Sequence, residues 1–163
     1  MGRRYALALV PALGLVFAGG ARPAEAPPIT LRIVFPEGFT VGKMADRVSE
    51  VRKIAIRKRH VTPRLTGVAY KGAAARARAP RAFRLYLKRR SVEGFLFPSL
   101  YEFTQYTRAS ELIDRQLDVF EERWRTIDLR HARARNLNAY DILTIASMIE
   151  RETVVPAERR LVS

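Results

Sequence analysis

Val92-Glu93-Gly94-Phe95-Leu96-Phe97-Pro98-Ser99-Leu100-Tyr101-Glu102-Phe103 is the stretch on which the reading of this chain turns. It packs four aromatic rings and a proline into twelve positions. Such density suits a core-crossing strand and turn, and it equally suits the wall of a carbohydrate site, where rings stack on sugar faces. Physics alone favours the core.

Upstream, Ile29-Thr30-Leu31-Arg32-Ile33-Val34-Phe35 alternates and is rich in β-branched residues, which predicts a strand closed by Pro36-Glu37-Gly38. Thr40 then reads as the N-cap of a helix whose apolar positions Met44, Val48 and Val51 recur at helical spacing. The stretch from Ile54 to Arg90 is basic and alanine-rich. Leu65, Val68 and Ala69 predict a helix after Pro63, and Gly72 to Pro80 predicts a loose, exposed connection.

Downstream, Ala109 to Ile127 reads as an amphipathic helix with Leu112, Leu117, Phe120 and Trp124 inward and Ser110 as its cap. The basic connection Arg130 to Arg135 leads to Asn138, which can cap a last helix while Asp141 completes a capping box. That helix, Ala139 to about Thr153, is expected to bury Ile142, Ile145, Ala146 and Ile149, with Pro156 stopping it or starting another. The sum is an α+β fold: one short early strand, a second near Phe95 to Phe103, and three or four helices.

Two carboxylates, Glu150 and Glu152, end the last helix. Two positions on a helix are about 200° apart, so one cleft cannot take both. Glu152 falls at the edge of the Ile145/Ile149 stripe and Glu150 on the other flank. A carboxylate among apolar neighbours at a helix C-terminus has its charged form disfavoured by desolvation and by the dipole. Both raise its pKa, as a general acid for a glycosidic oxygen requires. A solvated helix-end pair beside Arg151 is the other reading of the same residues.

Composition narrows the chemistry. The 163 residues hold no cysteine, which removes disulfides, thiolate metal sites and Cys nucleophiles. The two histidines, His60 and His131, sit in basic runs better suited to solvent than to a triad or a metal. A net charge of +14 draws the chain toward a polyanion: nucleic acid, anionic lipid or an anionic wall polymer. Codon bias toward Arg and Ala is the plainer source of that charge. At the N-terminus, Arg3-Arg4 precede the uncharged run Tyr5 to Gly20, and Ala24-Glu25-Ala26 follows as a small-x-small site. This is the layout of a secretory signal, or of a short membrane anchor. Export weakens the nucleic-acid reading.

Several of these blocks also resemble one family. Glu93-Gly94-Phe95-Leu96-Phe97-Pro98 with Tyr101-Glu102-Phe103 is similar to the E-G-x-F-x-P-D-T-Y-x-F signature of the YceG-like (MltG-type) endolytic peptidoglycan transglycosylases. Ala146-Ser147-Met148-Ile149-Glu150-Arg151-Glu152-Thr153 resembles their A-S-[IM]-[IV]-E-K-E-T block, followed by Glu158-Arg159. Phe35-Pro36-Glu37-Gly38-Phe39-Thr40 resembles their P-E-G-x-T opening. Where the family has Asp-Thr, this chain has Ser99-Leu100.

The resemblance implies a peptidoglycan-cleaving enzyme that splits the β-1,4 bond from MurNAc to GlcNAc and leaves 1,6-anhydroMurNAc ends, in cell wall biogenesis. It puts the catalytic role on Glu152 and possible substrate contacts on Glu93, Phe95, Phe97, Tyr101 and Glu150. No cofactor and no metal are implied: the sequence has no Gly-rich phosphate loop and no His/Cys cluster. The partners implied are glycan strands, the cytoplasmic membrane and peptidoglycan synthases, not nucleic acid. The expected division is a signal or anchor plus linker over 1–28, a small LysM-like α+β module over 29–90, and the start of the transglycosylase domain over 91–163. Family members continue through N-R-L and T-D-P-T-x-x-Y blocks, so a C-terminally truncated form is expected. The alternatives are a non-catalytic wall-binding fragment and a basic nucleic-acid binder.

Overall fold

The computed structural model describes residues 26–87 and 91–152, the last two of these by backbone alone. The apolar run Tyr5 to Gly20, Pro156 and the Glu158-Arg159 pair lie outside the described residues. The elements are β1 (Thr30–Val34), α1 (Val41–Arg59), α2 (Gly67–Arg76), a single 3-10 turn (Arg81–Phe83), β2 (Leu100–Thr104), α3 (Ala109–Arg125), α4 (Arg130–Ala134) and α5 (Ala139–Glu152). The class is α+β, as expected.

β1 and β2 form an antiparallel pair in register from Thr30 opposite Thr104 to Val34 opposite Leu100. Alternation places Leu31 opposite Phe103 and Ile33 opposite Tyr101 on one face, and all four are buried. The other face carries the exposed ion pair Arg32–Glu102 at 2.9 Å, which adds little. One strand comes from the 29–90 stretch and the other from the 91–163 stretch, so a single sheet and a single apolar core join them.

Two threonines set the helix starts. Thr40 accepts the Lys43 N–H at 3.2 Å and Thr66 accepts the Ala69 N–H at 3.1 Å, each satisfying an amide that the first turn leaves without a partner. α1 ends at His60, which adopts the left-handed conformation (φ 53) while the Val61 N–H reaches back to the Ala55 carbonyl. α1 and α2 cross at Gly67, where a β-carbon would lie 2.4 Å from the Ala45 carbonyl oxygen. Their contact is sealed against α3 by a buried polar pair, the Tyr70 hydroxyl donating to Gln116 Oε1 at 2.5 Å.

A second, aromatic cluster holds the rest of the chain to this core. Phe83, Phe95 and Phe120 meet at centroid distances of 5.0 to 5.7 Å, and Trp124 stands edge-on to Phe83 at 4.8 Å. α5 joins through its first turns, Ala139 and Leu143 packing on this cluster. Its start is the expected reciprocal box: Asn138 accepts the Asp141 N–H at 3.1 Å and Asp141 accepts the Asn138 N–H at 2.9 Å.

Three expectations need correction. Gly72 to Arg76 is helical, and Ala73 and Ala74 are buried, because an Ala/Arg run has high helix propensity and α2 needs small residues against its neighbours. Ser110 lies one residue inside α3; Arg108 holds the cap position without a side-chain bond. The last correction concerns α5. Ile145 and Ala146 are exposed and Ile142 and Ile149 only half-buried, since Ile142, Ala146 and Ile149 border open groove space and not a closed core.

Candidate active site

The second strand begins at Leu100 and not at Phe95, because the chain must first turn. Phe95 N–H bonds the Val92 carbonyl at 3.0 Å, and Gly94, third residue of that turn, takes φ +81. A side chain at that position would be strained, which accounts for the glycine after Glu93. Glu93 itself faces back to α1. Its two carboxylate oxygens accept the Val41 N–H at 3.1 and 3.3 Å, placing a negative charge on the positive end of the helix.

This turn and α5 enclose an open cleft of about 780 Å³. Glu93, Phe95, Phe97 and Glu150 all line it, so four of the six residues singled out from the sequence converge there. Their roles differ. Phe95 is 1% exposed and spends its ring on the aromatic cluster, so the core reading holds for it. Phe97 is half-buried and keeps surface toward the cleft. Glu150 is exposed on the α5 wall.

Tyr101 does not reach the cleft lining. It is buried on β2 against Phe35, and its hydroxyl donates to the Phe97 carbonyl at 2.8 Å, bracing the cleft wall from behind. Burial pushes its phenol up to about 12. Glu152 is the final residue of α5, and its side chain lies outside the described residues.

Sequence reasoning passed over part of the lining. Tyr140, Leu143, Ser147 and Glu150 recur at three- and four-residue spacing and form the stripe that α5 turns to the cleft. Of the expected apolar stripe, Ala146 and Ile149 also border the cleft. Glu37, from the Pro-Glu-Gly block, stands across from them on the lining. Among the described residues no group of three or more His, Cys, Asp or Glu is arranged to hold a metal ion.

Fold and cleft define a class: an α+β protein in which a Glu-Gly turn block, anchored on a helix N-terminus, faces a carboxylate-bearing helix across an open groove. The chain belongs to the YceG-like family, whose match runs over residues 19–163. It is 25% identical over 154 residues to an endolytic murein transglycosylase of Streptococcus pneumoniae strain R6, covering 89% of this chain and 27% of that protein. The corresponding protein of strain D39 is likewise 25% identical over 156 residues, with the same coverage. The chain thus spans about a quarter of the length of the curated relatives it matches. The crystal structure of a yceG-like protein from Listeria monocytogenes shares the fold at a TM-score of 0.55 and 18% identity, over 78% of this chain and 43% of that one.

Proposed function

We propose that this chain forms one wall of a lytic transglycosylase site acting on peptidoglycan glycan strands outside the cytoplasm. One observation carries the reading: the Glu93–Pro98 block and the α5 block, distant in sequence, line the same cleft. Murein transglycosylase activity in the similar pneumococcal proteins supports the substrate class.

The chemistry needs one carboxyl group in two protonation states. As an acid it protonates the glycosidic oxygen between MurNAc and GlcNAc, and that C1–O bond breaks. As a carboxylate it then takes the proton of the MurNAc C6 hydroxyl, whose oxygen bonds C1 and closes the 1,6-anhydro ring. Water is not consumed, and no second carboxylate at glycosidase spacing is needed. The family resemblance gives this role to Glu152. A second reading rests on the lining itself, where Glu150 is the α5 carboxylate that borders the cleft. Phe97 offers a ring for a sugar face. The charged start and the run Tyr5 to Gly20 would deliver the chain across the cytoplasmic membrane, where peptidoglycan synthases make its substrate.

Incubating the purified chain with sacculi tests this reading. Anhydro-ended fragments, lighter by one water than hydrolysed ends, are the expected product. Ordinary reducing ends would refute the lyase chemistry, and binding without release would make the chain a wall-binding module.

A further inference from the structure

The end of the molecule at which the chain enters its fold carries a run of exposed cations. Lys53, Arg57, Lys58 and Arg59 are exposed on the C-terminal half of α1, and among the described residues none of them has an ion pair. Cations in a last turn complement the helix dipole, but that effect does not extend back to Lys53.

Hydrogen bonds fix where the entering chain lies relative to these cations. Gln105 donates to the Pro27 carbonyl at 3.0 Å and accepts the Ile29 N–H at 2.7 Å, and the Tyr106 hydroxyl holds the Ala26 carbonyl. The Arg64 guanidinium lies 5.4 Å over the Tyr106 ring, and the Arg64 N–H bonds the Gln105 carbonyl. On the other side, Arg59 shares a groove with Thr30 at the open edge of β1. Residues 26–30 therefore enter beside Arg59 and Arg64. Only Ala21 to Glu25 separate them from the uncharged run Tyr5 to Gly20, and a fully extended chain covers at most about 3.5 Å per residue, so the reach is below roughly 20 Å.

We infer that this basic end, centred on Arg57, Lys58 and Arg59, is a contact surface for anionic phospholipid headgroups. The inference rests on the membrane placement proposed above. With Tyr5 to Gly20 in the bilayer, the short tether holds α1's C-terminus within a Debye length or two of the surface, where each Lys or Arg adds favourable energy. The contact fixes the orientation of the fold on the membrane in addition to its attachment.

Flotation of the full chain with vesicles tests this. Phosphatidylcholine vesicles report insertion of the apolar run alone; vesicles with phosphatidylglycerol add the charge. The expected result is binding to both, tighter to the anionic vesicles, with the excess falling as salt rises. Replacing Arg57→Gln, Lys58→Gln and Arg59→Gln together should remove the anionic excess by up to about a hundredfold at low salt while leaving phosphatidylcholine binding unchanged. Replacing Arg123→Gln, Arg133→Gln and Arg135→Gln together removes equal charge elsewhere and should lose far less. Circular dichroism of both variants separates lost binding from lost folding, and glutamine keeps good helix propensity. Equal binding to the two vesicles, or equal loss in both variants, overturns the basic end as a lipid contact and leaves anchoring intact. No binding to phosphatidylcholine refutes the anchoring itself. Preference for a duplex oligonucleotide over anionic vesicles, lost in the α1 variant, overturns the lipid assignment in favour of a polyphosphate polymer.

Discussion

The carboxylate of Glu93 accepts the backbone N–H of Val41 from 52 residues away, and so ties the turn that forms one cleft wall to the start of α1. Ser91 supports the same turn by accepting the Glu93 N–H at 3.1 Å. Glu93 is thereby committed to a helix terminus, whatever it also offers a ligand. Glu93→Ala should lower stability by about 1 kcal/mol, the usual cost of losing a charged partner at an N-terminus. Glu93→Gln, which keeps an acceptor, should cost about half of that. Urea midpoints measure both, and an unchanged midpoint for Glu93→Ala would show that the contact contributes nothing.

Gly67→Ala sets two effects against each other. Alanine at a helix start gains up to about 1 kcal/mol in backbone entropy. Its β-carbon, however, would meet Ser49 Oγ at 2.3 Å and the Ala45 carbonyl oxygen at 2.4 Å. Serine can rotate away, but the α1 backbone cannot. The clash wins, and a net loss of about 1–2 kcal/mol is expected, in the range seen for overpacked cores. A raised melting temperature would mean that the helices separate without cost.

What the sequence made legible was local. The β1 alternation, the Thr40 cap and the Asn138/Asp141 box each depend on residues within four positions, and each stands where expected. Contacts over longer range were not legible. Nothing near Glu93 announces Val41, and Gln116 reads as one more polar helix residue until Tyr70 is found against it. The α5 stripe failed for another reason. Ile142, Ile145 and Ile149 carry the stronger apolar pattern, yet the aromatic cluster meets the helix at Ala139 and Leu143, and of those three only Ile149 borders the cleft, beside Tyr140, Ser147 and Glu150. Of the site, the motif residues were legible, but the bracing role of Tyr101 was not, because it requires the turn that puts the Phe97 carbonyl above β2.

Two buried phenols make the fold labile to alkali. Desolvation raises Tyr101 to about 12 and raises Tyr70 further, the bond to Gln116 opposing part of that shift. In the unfolded chain tyrosine ionises near 10, so between about pH 10 and 12 the unfolded state binds fewer protons than the native state. Stability is therefore fully present below pH 10 and falls as pH rises, by up to about 1.4 kcal/mol per unit for Tyr70. Melting temperatures should drop steeply above pH 10, with the tyrosinate absorbance of the two buried phenols appearing only as the fold is lost. Tyr101→Phe should flatten the fall. Tyrosinate from all phenols in the native state near pH 10 would contradict the burial argument.

The carboxylates at the end of α5 give the most direct test of mechanism. Positions 150 and 152 are about 200° apart around a helix, so a single point of proton transfer is reached by one of them and not both. Glutamine matches glutamate in shape and can hydrogen-bond, but it cannot deliver a proton. If the role given to Glu152 by the family resemblance is right, Glu152→Gln should cut release of anhydro ends by about a hundredfold or more, the usual contribution of a general acid. Glu150, exposed on the cleft wall, would then serve strand binding, and Glu150→Gln should raise KM with little loss in kcat. The opposite pattern, with Glu150→Gln silent in binding and dead in turnover, would move the proton transfer to the carboxylate that borders the described cleft. Equal losses from both substitutions would contradict a single residue acting first as acid and then as base. Thermal melts of each variant distinguish these outcomes from unfolding, and glutamine should be tolerated at Glu150 because its carboxylate is exposed on the cleft wall.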